Sequence, residues 1–307
     1  MKNIICIAGP TASGKTALSI ALAKELDAEI ISCDSMQIYR RMDIGTAKPS
    51  VEERAGIVHH MLDVAEPDED FSVSRYCKMA DPILQDIISR GKTAIIVGGT
   101  GLYMDSLIRG NDFAPFPSTG VRERLEQQPI EEVYAQLTAI DPETAARLHL
   151  SDKKRIIRAM EIYLETGETM TAHNLRTQAI PPKYTPLWFA LEDEDRSDLY
   201  ARIDSRVTTM LEMGLIDEIQ TLLAEGIPPR CTAMQAIGYK EFVDALAGRC
   251  SIEEAADQVR QSSRRYAKRQ LTWFRRNRAI HWLRRSKEVG SAEILSAARQ
   301  VLHESDN

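Results

Sequence analysis

Residues 4–26, IICIAGPTASGKTALSIALAKEL, decide the fold of this chain. An apolar run enters a full phosphate-loop pattern, GPTASGKT, and apolar side chains then recur at helical spacing. A strand, a glycine-rich loop and a helix in this order form the context in which backbone N–H groups bind phosphate. The stretch therefore predicts a P-loop domain in which Lys15 contacts phosphate oxygens and Thr16 offers a hydroxyl to Mg²⁺.

Two further apolar runs predict strands of the same sheet. AEIISCDS at residues 28–35 contains Asp34 near its end, and TAIIVGGTGLY at residues 93–103 runs into glycines around Thr100. Strands that alternate with helical stretches are typical of an α/β fold, a parallel sheet with helices on both faces. Ligands of such sheets bind beyond the carboxyl ends of the strands, so the phosphate loop, Asp34 and Thr100 should meet there.

The pattern changes near residue 111, where a loop rich in Pro and Gly precedes several helical stretches. We expect a mostly helical insertion domain within a discontinuous core domain. The predicted ranges are 1–112 and 184–290 for the core, 113–183 for the insertion, and 291–307 for a C-terminal helix or tail. LWFALE at residues 187–192 predicts a strand that returns to the sheet, and a long helix is expected at about residues 252–276.

Composition excludes several other classes of protein. No apolar run reaches the roughly 18 residues of a membrane span, and the start of the chain resembles a buried strand more than a secretory signal. The five cysteines are scattered without Cys-x-x-Cys spacing, which is typical of reduced thiols rather than a disulfide framework or zinc site. We expect a monomeric cytoplasmic protein without a membrane partner.

Positive charge is concentrated near the C-terminus. Residues 260–287 contain eleven basic residues and no acidic one, which leaves −17 on the rest of a chain whose total is −6. On a helical wheel the basic side chains fall opposite Val259, Ala267 and Phe274. The segment is either a solvated helix face or a surface that binds a polyanion, and the missing acidic residues favour nucleic acid.

Two residues near the phosphate loop carry alternative interpretations. Asp34 could help to hold Mg²⁺, as in a small-molecule kinase, or it could accept a proton while the phosphate loop holds a leaving diphosphate. Thr100 stands between glycines, where its hydroxyl could donate to an anionic oxygen or simply occupy a tight turn.

Other candidate residues are equally open from pattern alone. Arg202 and Arg206 lie four apart on one helix face and could clamp a diphosphate, or could pair with nearby Asp198 or Asp204. Gly238 in a helical stretch marks either a close approach or a helix break. The pair at residues 59–60, His-His, favours a structural role over a metal site because no further ligand lies at suitable spacing.

The chain resembles the bacterial tRNA dimethylallyltransferase family from about residue 4 to residue 283. The motifs, in family order, are GPTASGKT, ISCDSMQIYRRMDIGTAKP, HHMLDV, FSVSRY, GGTGLY, QAIGYKE and YAKRQLTWFRR. Many kinases share the phosphate loop, whereas the combination of DSMQIYR, GTAKP, GGTGLY and KRQLTWFR is specific to this family.

The resemblance implies that the dimethylallyl group of dimethylallyl diphosphate is transferred to N6 of the adenosine 3′ of the anticodon. The tRNAs concerned read codons that begin with U. The resemblance implies that the protein binds their anticodon stem-loop. ATP is not consumed, because the phosphate loop holds the prenyl diphosphate with Mg²⁺. In the family the Asp of DSMQ is the general base and the Thr of GGTG lies near the reacting amine, which here are Asp34 and Thr100.

Two sets of binding residues follow from the motifs and the resemblance. The diphosphate set is Gly9, Pro10, Thr11, Ala12, Ser13, Gly14, Lys15, Thr16, Arg202 and Arg206. The tRNA set is Asp34, Ser35, Met36, Gln37, Thr100, Arg122, Arg158, Gln235, Gly238, Tyr239, Lys240, Lys268, Arg269 and Arg275. The family often has a Gln in the stretch KKRIIRAME, where this chain has Lys153 and Lys154.

Three other functions are compatible with parts of the sequence. A free-nucleotide isopentenyltransferase shares the loop chemistry but has no need of the insertion or the basic segment. An ATP-dependent small-molecule kinase would turn over ATP, and it also leaves the basic segment without a role. A non-catalytic RNA-binding module has no use for the phosphate loop or Asp34.

Overall fold

The computed structural model describes residues 3–111, 119–286 and 288–306, with the side chains of Gln178 and Asp306 outside that description. The chain forms two units, Met1–Gly110 with Tyr184–Asn307, and Asn111–Lys183. We call the first the core unit and the second the insertion unit, and each is described by itself.

The core unit contains one parallel sheet, built from all six strands of the described residues. The strands are β1 (Ile4–Ala8), β2 (Glu29–Ser32), β3 (His59–His60), β4 (Ala94–Val97), β5 (Leu187–Asp193) and β6 (Ile280–Arg285). Their order is β3-β2-β4-β1-β5-β6, and every neighbouring pair is parallel. The predicted P-loop α/β fold is confirmed, although β3 and β6 are strands that the sequence patterns do not predict.

Fourteen α-helices surround or extend the sheet in the described part of the chain. They are α1 (Lys15–Leu26), α2 (Val51–Arg54), α3 (Val73–Ser89), α4 (Gly101–Arg109), α5 (Val121–Glu126), α6 (Ile130–Ile140), α7 (Pro142–Ala146), α8 (Lys153–Thr166), α9 (Met170–Ala179), α10 (Arg196–Glu212), α11 (Leu215–Ala224), α12 (Lys240–Leu246), α13 (Ile252–Phe274) and α14 (Ser291–Asp306). Within these ranges no helix combines the length and the apolar character that crossing a membrane requires.

Alternating side chains of β1 pack on the two faces of the sheet. Ile5 and Ile7 belong to an apolar cluster that also contains Leu22 of α1 and Ala298 of α14. Cys6 lies between them in sequence, so it points to the opposite face, where it is 0% exposed. The C-terminal helix is therefore part of the core unit, because its apolar side chains complete the layer that covers β1.

The insertion unit has a hydrophobic core of its own. Val133 of α6 and Ile156 of α8 are fully buried in one cluster with side chains of α5 and α7. Buried Asp141 joins α7 to α9, since its carboxylate accepts hydrogen bonds from the backbone of Thr144 at 3.1 Å and of Thr171 at 2.9 Å. Helix α9 is an element that the sequence patterns do not single out.

A buried carboxylate connects β2 to its neighbours. Glu29, 6% exposed, accepts hydrogen bonds from two nitrogens of Arg90 at 2.5 and 2.9 Å. His60 Nε2 lies 2.8 Å from the same carboxylate, so this histidine serves the structure, as the sequence favours. The hydrogen bonds from Arg90 outweigh the cost of burial and lower the pKa of Glu29 from 4.5 to about 2.

Glu29→Gln is expected to lower the free energy of unfolding at pH 7 by roughly 3 kcal/mol, since one pKa unit is worth about 1.4 kcal/mol. A carboxylate with a depressed native pKa stabilises the fold above its unfolded pKa and loses this contribution as the pH falls through the native value. Urea unfolding at several pH values should therefore show that the difference in the free energy of unfolding between wild type and Glu29→Gln becomes smaller below about pH 5.

Glu25→Gln is the matched control, because its ion pair with Arg299 lies at the surface and exposed pairs contribute little. If the difference in the free energy of unfolding between wild type and Glu29→Gln stays constant down to pH 3, the lowered pKa of Glu29 is not the source of the stabilisation.

Candidate active site

The phosphate loop connects β1 to α1 at the carboxyl edge of the sheet. Its last residue before the helix, Gly14, has φ +93°, and no side chain caps the helix N-terminus. The first N–H groups of α1 are thus left for an external acceptor, the usual arrangement of an anion site. Ser13 is 3% exposed, and its Oγ has no hydrogen-bond partner among the described residues. A bound oxyanion would satisfy these donors.

Two cations face the same space. Lys15 Nζ donates to Pro10 O at 2.5 Å, and burial together with the nearby Arg206 guanidinium lowers the pKa of Lys15 to about 7. Burial also lowers the pKa of Arg206, against the opposing effect of Asp34. Because both shifts disfavour the charged form, a ligand with more than one negative charge would relieve the repulsion between the two side chains.

Two adjoining cavities of the core unit share part of their lining. The first, of about 100 Å³, contains Lys15 and is called the Lys15 cavity. The second, of about 400 Å³, contains Gln235 and is called the Gln235 cavity. The residues that line both are Thr11, Asp34, Thr46, Arg206 and Tyr266. Asp34 and Arg206 therefore face a phosphate-sized space on one side and a larger space on the other.

Asp34 and Thr100 lie side by side because they follow β2 and β4, which are neighbours in the sheet. The backbone N–H of Ser35 donates to Thr100 Oγ1 at 3.0 Å. Asp34 Oδ1 accepts from the N–H of Met36 at 2.8 Å, while no donor to Oδ2 occurs among the residues that the structure describes. One carboxylate oxygen is thus held by its own turn and the other is available to a ligand.

The three residues after Asp34 have different surroundings. Ser35 and Met36 line the Gln235 cavity. The Gln37 amide is used within the protein, since Oε1 accepts from Ser32 Oγ at 3.1 Å and Nε2 donates to Ala47 O at 3.1 Å. Gln37 also contributes to the wall of the Lys15 cavity, so it supports that wall as well as lining it.

The motif QAIGYKE divides into lining and supporting residues. Gln235, Gly238 and Lys240 line the Gln235 cavity. Gly238 lies in a turn before α12, with φ +97°, and a Cβ there would meet nothing within 4 Å. Of the two interpretations, the structure therefore supports a break before the helix, where the backbone conformation favours glycine. Tyr239 is 0% exposed and its hydroxyl donates to Glu218 at 2.6 Å. The predicted RNA contact is therefore wrong for the Tyr239 side chain, which is enclosed by the protein.

Glu218 of α11 organises this wall, and no sequence motif indicates it. Its carboxylate accepts hydrogen bonds from the N–H groups of Asp43 at 2.8 Å, Ile44 at 2.7 Å and Gly45 at 3.2 Å, besides that from Tyr239. Only the folded chain brings α11 to the GTAKP loop. A lone Glu in an amphipathic helix carries no signal from which this role could be inferred.

The two arginines predicted to clamp a diphosphate point to different partners. Arg202 donates to Ala12 O in the phosphate loop at 3.0 Å and to both oxygens of Asp193 at 2.6 Å. Arg206 lines both cavities. Arg202 therefore supports the phosphate loop from behind its backbone, and Arg206 is the one in position to meet a ligand. The alternative acid Asp204 pairs with Arg264 instead.

Acidic residues from elsewhere in the chain neutralise part of the basic segment. Arg264 contacts Asp204 at 2.7 Å, and Arg275 contacts Glu192 at 3.1 Å. Lys268 and Arg269 are exposed and have no acidic partner within the described ranges. The positive surface is thus smaller than the sequence predicts, and Lys287 falls outside the described residues.

Arg122 and Arg158 lie in the insertion unit, where both contact Glu161. They line a groove of about 470 Å³ with three further basic residues, Arg147, Lys154 and Arg155. Leu148, Ala159 and Met170 supply apolar lining to the same groove. Lys154 therefore adds positive charge to this surface.

The residues at this site fit a magnesium ion whose remaining ligands come from a bound phosphate group and water. In the described part of the chain no group of three or more His, Cys, Asp or Glu side chains could bind a metal. Thr16 and Asp34 both line the Lys15 cavity, and Mg²⁺ commonly combines one or two protein oxygens with phosphate and water. The donor set is thus adequate only when a phosphate ligand completes it.

Comparisons with known proteins show the family of this chain. Residues 37–277 match the family model described as IPP transferase, and residues 2–68 match one described as isopentenyl transferase. The chain is 45% identical over 281 residues to tRNA dimethylallyltransferase 1 of Citrifermentans bemidjiense, with 92% of each chain covered.

Two solved structures are similar along nearly the whole chain. The tRNA isopentenylpyrophosphate transferase of Bacillus halodurans superposes with a TM-score of 0.76 at 39% identity, covering 99% of this chain and 96% of that one. A eukaryotic dimethylallyltransferase, described as acting on tRNA, gives a TM-score of 0.85 at 30% identity and covers 100% and 79%.

Proposed function

The chain belongs to the IPP transferase family, and on this basis we propose that it transfers a dimethylallyl group from dimethylallyl diphosphate to tRNA. The acceptor is N6 of the adenosine 3′ of the anticodon in tRNAs that read codons beginning with U. The products are N6-dimethylallyladenosine and diphosphate. The observation that carries the proposal is the shared wall of the two cavities, where Asp34 stands beside the cations of the phosphate site.

The phosphate loop stabilises the leaving group. When the allylic C–O bond breaks, its electron pair stays on the diphosphate oxygen and negative charge develops there. Lys15, Arg206 and the N–H groups at the start of α1 surround this position and favour the developing charge. Thr16 would hold Mg²⁺, which when bound neutralises part of the diphosphate charge.

Asp34 acts as the general base on the acceptor. The exocyclic amine of adenine is a weak nucleophile, and its nitrogen forms the new bond to the allylic carbon. The free oxygen of Asp34 accepts a hydrogen bond from that amine and then its proton. Thr100 accepts a hydrogen bond from the backbone N–H of Ser35, and its hydroxyl lies 3.4 Å from Ser35 Oγ, so it supports the turn that carries Asp34.

The Gln235 cavity is suited to an unstacked base. Chemistry on a base requires that it leave the stack, and loops of RNA are the usual single-stranded targets. The cavity has a volume of about 400 Å³ and apolar lining from Ile203, Val207 and Met210 beside the polar Asp34. Residues of one chain line both cavities, which supports the proposal that the protein acts as a monomer. The proposed tRNA substrate supports a cytoplasmic protein.

An ATP-free prenylation assay tests the proposal. The protein is incubated with unmodified tRNA, labelled dimethylallyl diphosphate and Mg²⁺, and the label is located by nuclease mapping. We expect it on the adenosine 3′ of the anticodon. Labelling of free AMP but not tRNA would favour a free-nucleotide isopentenyltransferase, and ATP turnover without labelling would favour a kinase.

The double variant Lys268→Glu/Arg269→Glu is expected to weaken tRNA binding at least tenfold at 0.1 M salt, because each phosphate contact adds about one to the salt slope. The slope of log Kd against log salt concentration should fall by about two. Filter binding at four salt concentrations measures both quantities.

Lys24→Glu/Lys78→Glu is the control, since it makes the same change in net charge at exposed positions of α1 and α3. If the two double variants weaken binding equally, α13 is not part of the tRNA interface.

A further inference from the structure

One glutamine of α13 bridges the two loops that form the edge of the active site. Gln270 is 5% exposed. Its Oε1 accepts a hydrogen bond from the backbone N–H of Thr11 at 2.9 Å, and its Nε2 donates to the carbonyl oxygen of Gly99 at 3.0 Å. A single buried amide thus connects the phosphate loop with the loop that follows β4.

The bridge depends on both halves of the amide. Thr11 offers a donor and Gly99 an acceptor, so turning the amide by 180° would oppose two donors at one end and two acceptors at the other. Gly99 is required for the approach, since a Cβ there would lie 2.0 Å from Gln270 Nε2. Among common side chains of this length, only an uncharged group with a donor and an acceptor satisfies the gap.

The contacts continue from Gln270 to the catalytic carboxylate. Gly99 precedes Thr100, whose Oγ1 accepts from the N–H of Ser35 at 3.0 Å. Ser35 in turn follows Asp34. At the other end Thr11 belongs to the loop that surrounds Lys15, and Gln270 itself lines the Lys15 cavity.

We infer that Gln270 is a positioning residue, which sets the separation between the phosphate loop and the edge formed by Asp34 and Thr100. This separation determines how the allylic carbon, held through its diphosphate, meets the amine held by Asp34. Reacting atoms must approach within about 3.5 Å, and a misplacement of about 1 Å can lower the rate a hundredfold. The inference rests on the proposed function and adds to it a residue that does not touch the reacting atoms.

Gln270→Met tests the bridge by removing both hydrogen bonds at nearly constant length. We expect kcat to fall on the order of a hundredfold, while the Kd for tRNA, measured by filter binding, changes by less than about threefold. An unchanged kcat in a variant with normal thermal unfolding would overturn the inference.

Gln270→Glu supplies a signature that a purely structural role would not produce. As a carboxylate it presents an acceptor to the Gly99 carbonyl, whereas the protonated acid has one donor and one acceptor, like the amide. Burial and the bound diphosphate both raise the pKa of such an acid. The ratio of kcat/KM for Gln270→Glu to that of wild type should therefore rise at least tenfold from pH 8.5 to pH 6.

Other charged groups at this cavity set the midpoint of that rise, since Lys15 and Arg206 lower and Asp34 raises the pKa of a carboxyl at position 270. The titratable and charged side chains that line the Lys15 cavity are Lys15, Asp34, His59, Arg206 and Tyr266. Both proteins contain them, so the pH dependence that they give wild type is divided out of the ratio. Gln261→Glu is the control, because it places the same charge at an exposed position of α13; its ratio to wild type should not depend on pH.

The outcomes separate this inference from the proposed function. If wild type does not prenylate tRNA, the proposed function fails. If wild type is active but the ratio for Gln270→Glu is flat with pH, or rises equally for Gln261→Glu, the positioning role fails and the proposed function stands.

Discussion

Replacement of Asp34 by asparagine is expected to lower kcat for dimethylallyl transfer about a thousandfold, the middle of the range for loss of a general base. Asparagine keeps an Oδ1 that can accept the hydrogen bond from the N–H of Met36, so the turn after β2 should persist. What is lost is the oxygen that takes the proton from the amine. The Kd for tRNA should change less than about threefold, because one base contact is a small part of an interface dominated by phosphates.

Single-turnover measurements with excess enzyme would isolate the chemical step from product release. Asp217→Asn, an exposed substitution on α11, provides the control for the loss of one negative charge. Turnover by Asp34→Asn within about tenfold of wild type would exclude Asp34 as the base.

The second large effect is expected for Lys15→Met, which should weaken binding of dimethylallyl diphosphate and lower kcat together, each on the order of a hundredfold. The side chain keeps its length but loses the charge that meets the diphosphate. In the free protein Lys15 Nζ donates to Pro10 O, a contact that a ligand phosphate would replace. Lys24→Met, at an exposed position of the same helix, is the matched control.

The same lysine makes diphosphate binding depend on pH. The pKa of Lys15 is lowered to about 7 in the free protein, first by burial and then by Arg206, whereas bound diphosphate favours the ammonium form. Binding above pH 7 must therefore take up a proton, and the Kd should rise by up to tenfold per pH unit between about pH 7 and pH 9.

Isothermal titration calorimetry in buffers of different ionisation enthalpy measures this proton uptake directly. Lys15→Met should bind without that uptake, and the pH dependence that remains in the variant belongs to the ligand itself. Equal proton uptake by wild type and Lys15→Met would contradict the assignment to Lys15.

Short patterns were sufficient to predict the elements that carry the chemistry. The phosphate loop, Asp34 and Thr100 each follow an apolar run, and parallel strands bring their carboxyl ends to one edge of the sheet. The two strands that escaped prediction had weak signals. β3 has only two residues, and β6 at the edge of the sheet lacks an alternating apolar pattern, since its buried residues Ile280 and Leu283 stand three positions apart.

Charge was predicted less well than fold, for a physical reason. The sequence of the basic segment contains no acid, yet Asp204 and Glu192 reach it from α10 and β5. Coulomb interactions depend on distance in space, so partners remote in sequence decide which cations remain available. The surface left on α13 is therefore centred on Lys268 and Arg269.

The sequence by itself determined the P-loop sheet, the residues of the phosphate loop and the family to which the chain belongs, because these depend on local spacing of apolar, glycine and polar residues. Only the tertiary structure decided that Arg206 rather than Arg202 faces the cavities, that Tyr239 is enclosed, and that Glu218 and Gln270 hold the loops of the site. A hydrogen bond between residues such as Thr11 and Gln270 leaves no periodic trace in either segment, since it arises only when the packed helices bring donor and acceptor together.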